Sequence, residues 1–182
     1  MSARLLAAVQ WAAQMHKDQR RKGRTATPYV NHCVTVAELL ARVGGVTDED
    51  VLIGAVLHDI VEDTHATLED VADRFGPTVA GYVAEVSDDK DLAKAERKRQ
   101  QVLKAPGKSV GAKLIKIGDK TSNVGDLADD PPPWPAARLA EYVRWAREVV
   151  AGMRGVNPAL EAHFDATAAR VDAHLQASAE ST

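Results

Sequence analysis

The sequence predicts an all-α protein, a single-domain bundle of about eight to ten helices. Apolar residues recur at three- and four-residue intervals through nearly the whole chain, as in Leu6, Val9 and Ala13 and again in Val51, Leu52, Ala55 and Val56. No segment shows the sustained alternation of a strand. The size agrees: 182 residues, 45% hydrophobic and 27% charged, suffice for one core without disulfides or a structural metal.

The elements follow in order. A first helix over 2–18 contains LLAAVQWAAQMH, whose apolar face is interrupted by Gln10 and Gln14 and which lacks the basic leader and cleavage site of a signal peptide. A second, over 31–43, is closed by Gly44-Gly45. A third runs over 48–64, with Thr47 as its N-cap and Asp50 three residues on. Helices over 67–75 and 77–87 are separated by Gly76-Pro77, because proline starts a helix well and continues one badly. Next come a basic helix over 92–104 and an apolar one over 109–128. Asp129, Asp130 and Pro131 to Pro133 then form the sharpest break, too short for a domain linker. Helices over 135–153 and 157–177 complete one domain over 1–176, with a small, polar tail over 177–182 expected to fray.

Charge and cysteine content narrow the function classes. A net charge of −3 gives no electrostatic reason to expect nucleic acid as a partner. Cys33 is the single cysteine, so no intrachain disulfide can form, and a cytoplasmic location is expected. No run of about 18 apolar residues exists, so no membrane span is expected.

The densest group of potential ligands is His58-Asp59 followed by Glu62-Asp63. On one continuous helix these positions share a face, and three carboxylates with an imidazole would repel and desolvate one another unless a cation joined them. A lone His-Asp dipeptide is ordinarily a solvated pair; the two acids in register are what point to a metal. His32, after Thr27-Pro28-Tyr29, and Asp119, in KLIKIGDKTSN, are further candidate ligands. Two imidazoles and two carboxylates suit manganese, iron or zinc with positions left for water and a phosphate oxygen. His16, His65, His163 and His174 are read as ordinary surface or core positions. Two basic stretches, Arg20-Arg21-Lys22-Gly23-Arg24 and Lys94 to Lys104, are candidates for phosphate binding.

The ordered series RRKG, TPYVNH, VLHDIVEDT, VSDDKDLAKAERKRQ, GAKLIKIGDKTSN and EYVRWA resembles the hydrolase domain of the RelA/SpoT homologues, most closely the free-standing small alarmone hydrolases of the Mesh type. The similarity runs from about Leu5 to about Leu160. It implies an HD-type helical bundle, a single divalent ion, usually Mn2+, held by His32, His58, Asp59 and Asp119, and an acid pair, Glu62 and Asp63, that orients or activates the attacking water. It further implies that Arg21 and Lys22, and less directly Arg24, pack on the nucleotide base. Asn123 would contact the sugar and 3′ substituent, Tyr142 the ribose or phosphates, and Lys94, Arg97 and Lys98 the 5′-phosphates.

Two positions depart from the usual pattern. Thr121-Ser122 replaces a bulky pair and Gly118 replaces alanine, which implies a wider or more polar wall beside the base. The implied activity is 3′-pyrophosphohydrolysis of ppGpp or pppGpp to GDP or GTP and pyrophosphate. The alternatives are an HD-type phosphatase acting on the 2′-phosphate of NADPH or on adenine alarmones, and a non-catalytic alarmone sensor. A homodimer is compatible with the sequence, which singles out no surface for it.

Overall fold

The computed structural model describes residues 2–180, which form ten α-helical segments with no strand; an isolated bridge between Arg20 and Pro28 closes the loop after the first helix. The helices are α1 Ala3–Met15, α2 Val30–Arg42, α3 Glu49–Leu57, α4 Ile60–Asp63, α5 Leu68–Phe75, α6 Pro77–Val86, α7 Lys94–Lys104, α8 Val110–Asp129, α9 Ala136–Ala151 and α10 Pro158–Glu180. The last helix therefore continues past the expected end near 177, and residues 181–182 of the expected tail lie outside the described residues. None of the described helices is long and apolar enough to cross a membrane.

The axis of the bundle is α8, which packs against α2, α3, α6, α9 and α10. Ile115, Ile117 and Val124 are fully buried, and so, almost entirely, are Lys116, Asp119, Lys120, Thr121 and Ser122 on the same helix. A helix buried nearly all round must satisfy its polar groups internally, so these five residues already mark a polar centre inside an apolar bundle. Gly118 lets α2 approach: a Cβ there would lie 2.5 Å from Leu40 Cδ1 and 3.2 Å from Val36 Cγ1.

Two expected boundaries are corrected. The N-cap of α3 is Asp48 rather than Thr47; its carboxylate accepts from the amides of Asp50 and Val51. The single helix expected over 48–64 breaks at His58-Asp59, where Asp59 takes φ −102° and ψ 0°. The break has a local cause. His58 Nδ1 lies 2.8 Å from the carbonyl of Ala55, the acceptor that a continuous helix would offer to the Asp59 amide.

Candidate functional site

The break at His58 and the start of α2 face the middle of α8, so three separate elements bring their imidazoles and carboxylates together. His32 and His58 approach edge to face, with Nε2 atoms 3.2 Å apart. Asp59 Oδ2 lies 3.0 Å from His58 Nε2 and 3.7 Å from His32 Nε2. These three residues can offer one ligand atom each to a single cation. From the other side Asp119 Oδ1 comes within 3.5 Å of His32 Nε2 and 3.8 Å of His58 Nε2.

Both rings are oriented by what backs them. A carbonyl can only accept, so the Ala55 contact places the proton on His58 Nδ1 and turns the Nε2 lone pair inward. His32 Nδ1 is paired with Ser122 Oγ at 2.9 Å, which leaves its Nε2 facing the same point. Burial pushes the His32 pKa below its usual value. Burial acts on His58 in the same sense, but Asp59 and Asp119 beside it hold its pKa above the usual value. The two acids are buried too, yet Asp59 is held low by His58 and His32, and Asp119 by Lys120, Lys116 and the histidines. The pocket thus favours ionised carboxylates around a positive centre. A divalent cation meets that demand with this donor set of two nitrogens and two oxygens.

Glu62 and Asp63 follow in α4, one turn beyond His58 and Asp59, and the Asp63 amide donates to the Asp59 carbonyl at 2.8 Å across the break. Glu62 Oε2 accepts from the amide of Asp88 at 3.1 Å, and burial with the nearby Asp59 charge raises its pKa. Asp63 is paired with Lys90 Nζ at 2.8 Å. Tyr29 ties the groups: its hydroxyl lies 2.6 Å from Asp59 Oδ2 and 3.2 Å from Asp63 Oδ2. His16, read from sequence as an ordinary position, is buried and stacks on Tyr29 with ring centroids 5.0 Å apart.

Two cavities are lined by residues that contact or adjoin this cluster, the first by Tyr29, Asp63 and Asn123 and the second by Glu62. The first, 480 Å³, is lined by Arg20, Arg21, Lys22, Asp63, Asn123, Asp126, Asp130, Trp134 and Tyr142 among others, with three basic and three acidic side chains in balance. Arg21 is fixed in it by Asp126 (Nε to Oδ2, 2.8 Å) and Asn123 (Nη2 to Oδ1, 2.6 Å), and lies over the Tyr29 ring. Asn123 in turn donates to Asp119 Oδ1, so two hydrogen bonds connect this cavity to the cluster. The loop that carries Arg21 and Lys22 is clasped by Asp130, which accepts from the amides of Arg24 and Thr25 and from the Thr25 hydroxyl. Gly23 permits the clasp, since a Cβ there would lie 2.6 Å from the Asp130 carbonyl oxygen. Arg24 contributes its amide to this clasp and does not line the cavity.

The second cavity, 610 Å³, has five cations, Lys22, Lys94, Arg97, Lys98 and Arg138, against Glu62, Asp88 and Glu141. Partial burial lowers the Lys94 pKa, and Arg138, Lys98 and Lys22 lower it further, the signature of positive charge converging without full compensation. Lys22, Trp134 and Tyr142 line both cavities.

The wall inferred from Thr121-Ser122 and Gly118 is not where the sequence suggested. Ser122 supports His32, the Thr121 hydroxyl donates to the Ile117 carbonyl at 2.8 Å, and Gly118 faces α2; none of the three lines the first cavity. Sequence reasoning missed Tyr29, Lys116, Lys120, Asp126, Arg138 and Trp145. The available signal was weak: Tyr29 and Trp145 lie inside quoted motifs, and two lysines in an apolar helix around Asp119 are unusual.

A family model described as "HD domain" matches residues 8–144. The guanosine-3′,5′-bis(diphosphate) 3′-pyrophosphohydrolase MESH1 of Drosophila melanogaster is 48% identical over 165 residues, covering 90% of this chain and 92% of that protein. Its Homo sapiens counterpart is 49% identical over 161 residues, covering 88% and 90%. A solved structure described as a metazoan ortholog of SpoT that hydrolyzes ppGpp superimposes with a TM-score of 0.89 at 47% identity, over 92% of this chain and 94% of that one.

Proposed function

The chain belongs to the HD domain family, and from that premise we propose that it is a metal-dependent (p)ppGpp 3′-pyrophosphohydrolase, converting its substrate to GDP or GTP and pyrophosphate. The observation that carries the reading is the two-imidazole, two-carboxylate cluster, next to which Asp63 and Asn123 line a charge-balanced cavity and Glu62 lines one with an excess of cations. A base is neutral and suits the first; the phosphates need the second; the scissile 3′ group then falls at the junction.

His32, His58, Asp59 and Asp119 would hold the ion, for which Mn2+ is the expected occupant. A bound divalent ion supplies Lewis acidity and lowers the pKa of water. Glu62 takes the proton from the attacking water: its raised pKa makes it a stronger base than an ordinary carboxylate, and the Asp88 amide fixes one oxygen while the other stays available. Asp63, held between Lys90 and Tyr29, orients that water. Attack on the phosphorus attached to the ribose 3′ oxygen forms the new P–O bond and breaks the old one; the 3′ oxygen departs and takes a proton to become the 3′-hydroxyl of GDP or GTP, and the water oxygen is carried off in pyrophosphate. Arg21 and Lys22 pack on the base, Asn123 and Tyr142 border the sugar, and Lys94, Arg97 and Lys98 offset phosphate charge.

The test is a product assay of the Mn2+-loaded protein with ppGpp and NADPH in parallel, with EDTA and Glu62→Ala controls. GDP and pyrophosphate from ppGpp, lost in both controls, is the expected result. Orthophosphate from NADPH alone would keep the centre and replace the substrate. Tight ppGpp binding without product would point to a sensor.

A further inference from the structure

The reading above leaves two buried lysines beside Asp119 without a role. Lys116 and Lys120 are 4% and 3% exposed, among the deepest charges in the molecule. An ammonium at that depth costs several kcal/mol unless it is paired, so its surroundings are informative. Lys120 Nζ lies 3.1 Å from Asp119 Oδ2, and Lys116 Nζ lies 3.7 Å from the same oxygen while donating to the Val86 carbonyl at 3.0 Å. The carboxylate is therefore divided: Oδ2 faces the lysines, and Oδ1 faces Asn123 and the two imidazoles.

Lys120 is held in place by more than its anion. Its Nζ lies 4.4 Å from the ring centroid of Trp145, whose electron-rich face suits a dehydrated cation. Trp145 is itself fixed, with Nε1 donating to the Lys98 carbonyl at 3.1 Å, and Lys98 Nζ also lies 5.1 Å from its ring centroid. The indole lines the cationic cavity, so one side chain supports the lysine behind the metal-site aspartate and the helix that presents phosphate-binding cations.

We propose that Lys120, seated on Trp145, is a positioning residue that keeps Asp119 Oδ2 engaged, so that the carboxylate offers only Oδ1 to the cation and leaves room for water and substrate. The inference rests on the metal-centre reading above. A carboxylate released on both oxygens chelates more strongly, and removing a neighbouring positive charge strengthens cation binding as well. The expected signature is thus opposite in its two readouts.

The experiment measures Mn2+ affinity, from the electron paramagnetic resonance signal of free Mn2+, together with kcat and KM at saturating metal and the melting temperature. It compares the parent with Lys120→Met, which keeps the stem's volume, and with Trp145→Phe and Trp145→Leu. Lys120→Met should bind Mn2+ at least as tightly as the parent while kcat falls about 10- to 100-fold with a small change in KM. Trp145→Phe, which keeps an aromatic face, should retain more kcat than Trp145→Leu. Parent-like kcat in Lys120→Met, or a loss of Mn2+ affinity in step with melting temperature, would overturn the proposal. If Lys120→Met does not fold, equal kcat losses in the two Trp145 variants overturn it. Failure of the parent to bind Mn2+ would instead remove the metal-centre reading.

Discussion

The inner wall of the site, made by α2, the end of α3 and the middle of α8, differs in kind from the outer wall made by α7, α9 and the loop at 20–25. Inside, every charged group is close to an opposite charge or an imidazole and is shielded from water: His32, His58, Asp119 and Lys120 are each at most 5% exposed. Outside, pairing is incomplete: Arg21 meets Asp126 and Lys98 meets Glu141, but more exposed cations also face one another, as Lys94 does with Arg138, Lys98 and Lys22. Low dielectric and fixed partners make small displacements expensive on the inner wall, which suits chemistry. Solvated, mutually repelling cations on the outer wall gain when a polyanion arrives, which suits recognition.

The comparison is broken most severely from within. Asp119→Ala removes the oxygen facing both imidazoles and leaves Lys116 and Lys120 buried without their anion; Mn2+ binding should be lost in equilibrium dialysis and turnover should fall to the EDTA-treated level. Glu62→Gln should be next, with kcat reduced about 10²- to 10⁴-fold while Mn2+ binding is retained. Retained turnover in that variant would take the base assignment away from Glu62. On the outer wall, Lys98→Ala should raise KM about fivefold, corresponding to about 1 kcal/mol for a partly exposed charge, and the effect should shrink as salt is added. A salt-independent loss in kcat would instead place Lys98 with the inner wall.

The smallest effect concerns pH. The folded-state pKa of Glu62 is raised by burial and by Asp59, so the metal-free fold favours its protonated form. The stability this contributes is complete below the unfolded pKa and is lost as pH rises through the folded value. Glu62→Gln should therefore melt slightly higher than the metal-free parent at neutral pH, with the difference vanishing near about pH 4. A gain that persists into acid would show that the substitution acts through packing.

Legibility followed the range of the forces involved. Helix periods, the Gly76-Pro77 boundary and the proline break after Asp130 are local, and each appears where the sequence suggested. The N-cap at Asp48 was displaced by one residue because Thr47 and Asp48 are both good acceptors in sequence and only backbone geometry selects between them. The break at His58-Asp59 was hidden because it depends on a side chain competing for the Ala55 carbonyl. Thr121-Ser122 was misplaced for a related reason: its motif position suggested the base wall, whereas the rotation of α8 directs Ser122 to His32.

By itself the sequence determined an all-helical bundle and, through an ordered set of motifs, the family and the residue types available for catalysis. Tertiary structure decided which atoms meet. Helices α2, α3 and α8 must pack before His32, His58 and Asp119 converge, and the division of labour between the two oxygens of Asp119 exists only because Lys120 and Trp145 arrive from different helices. Spacing along a chain specifies faces of single helices, whereas the direction of a buried side chain is set by everything packed around it.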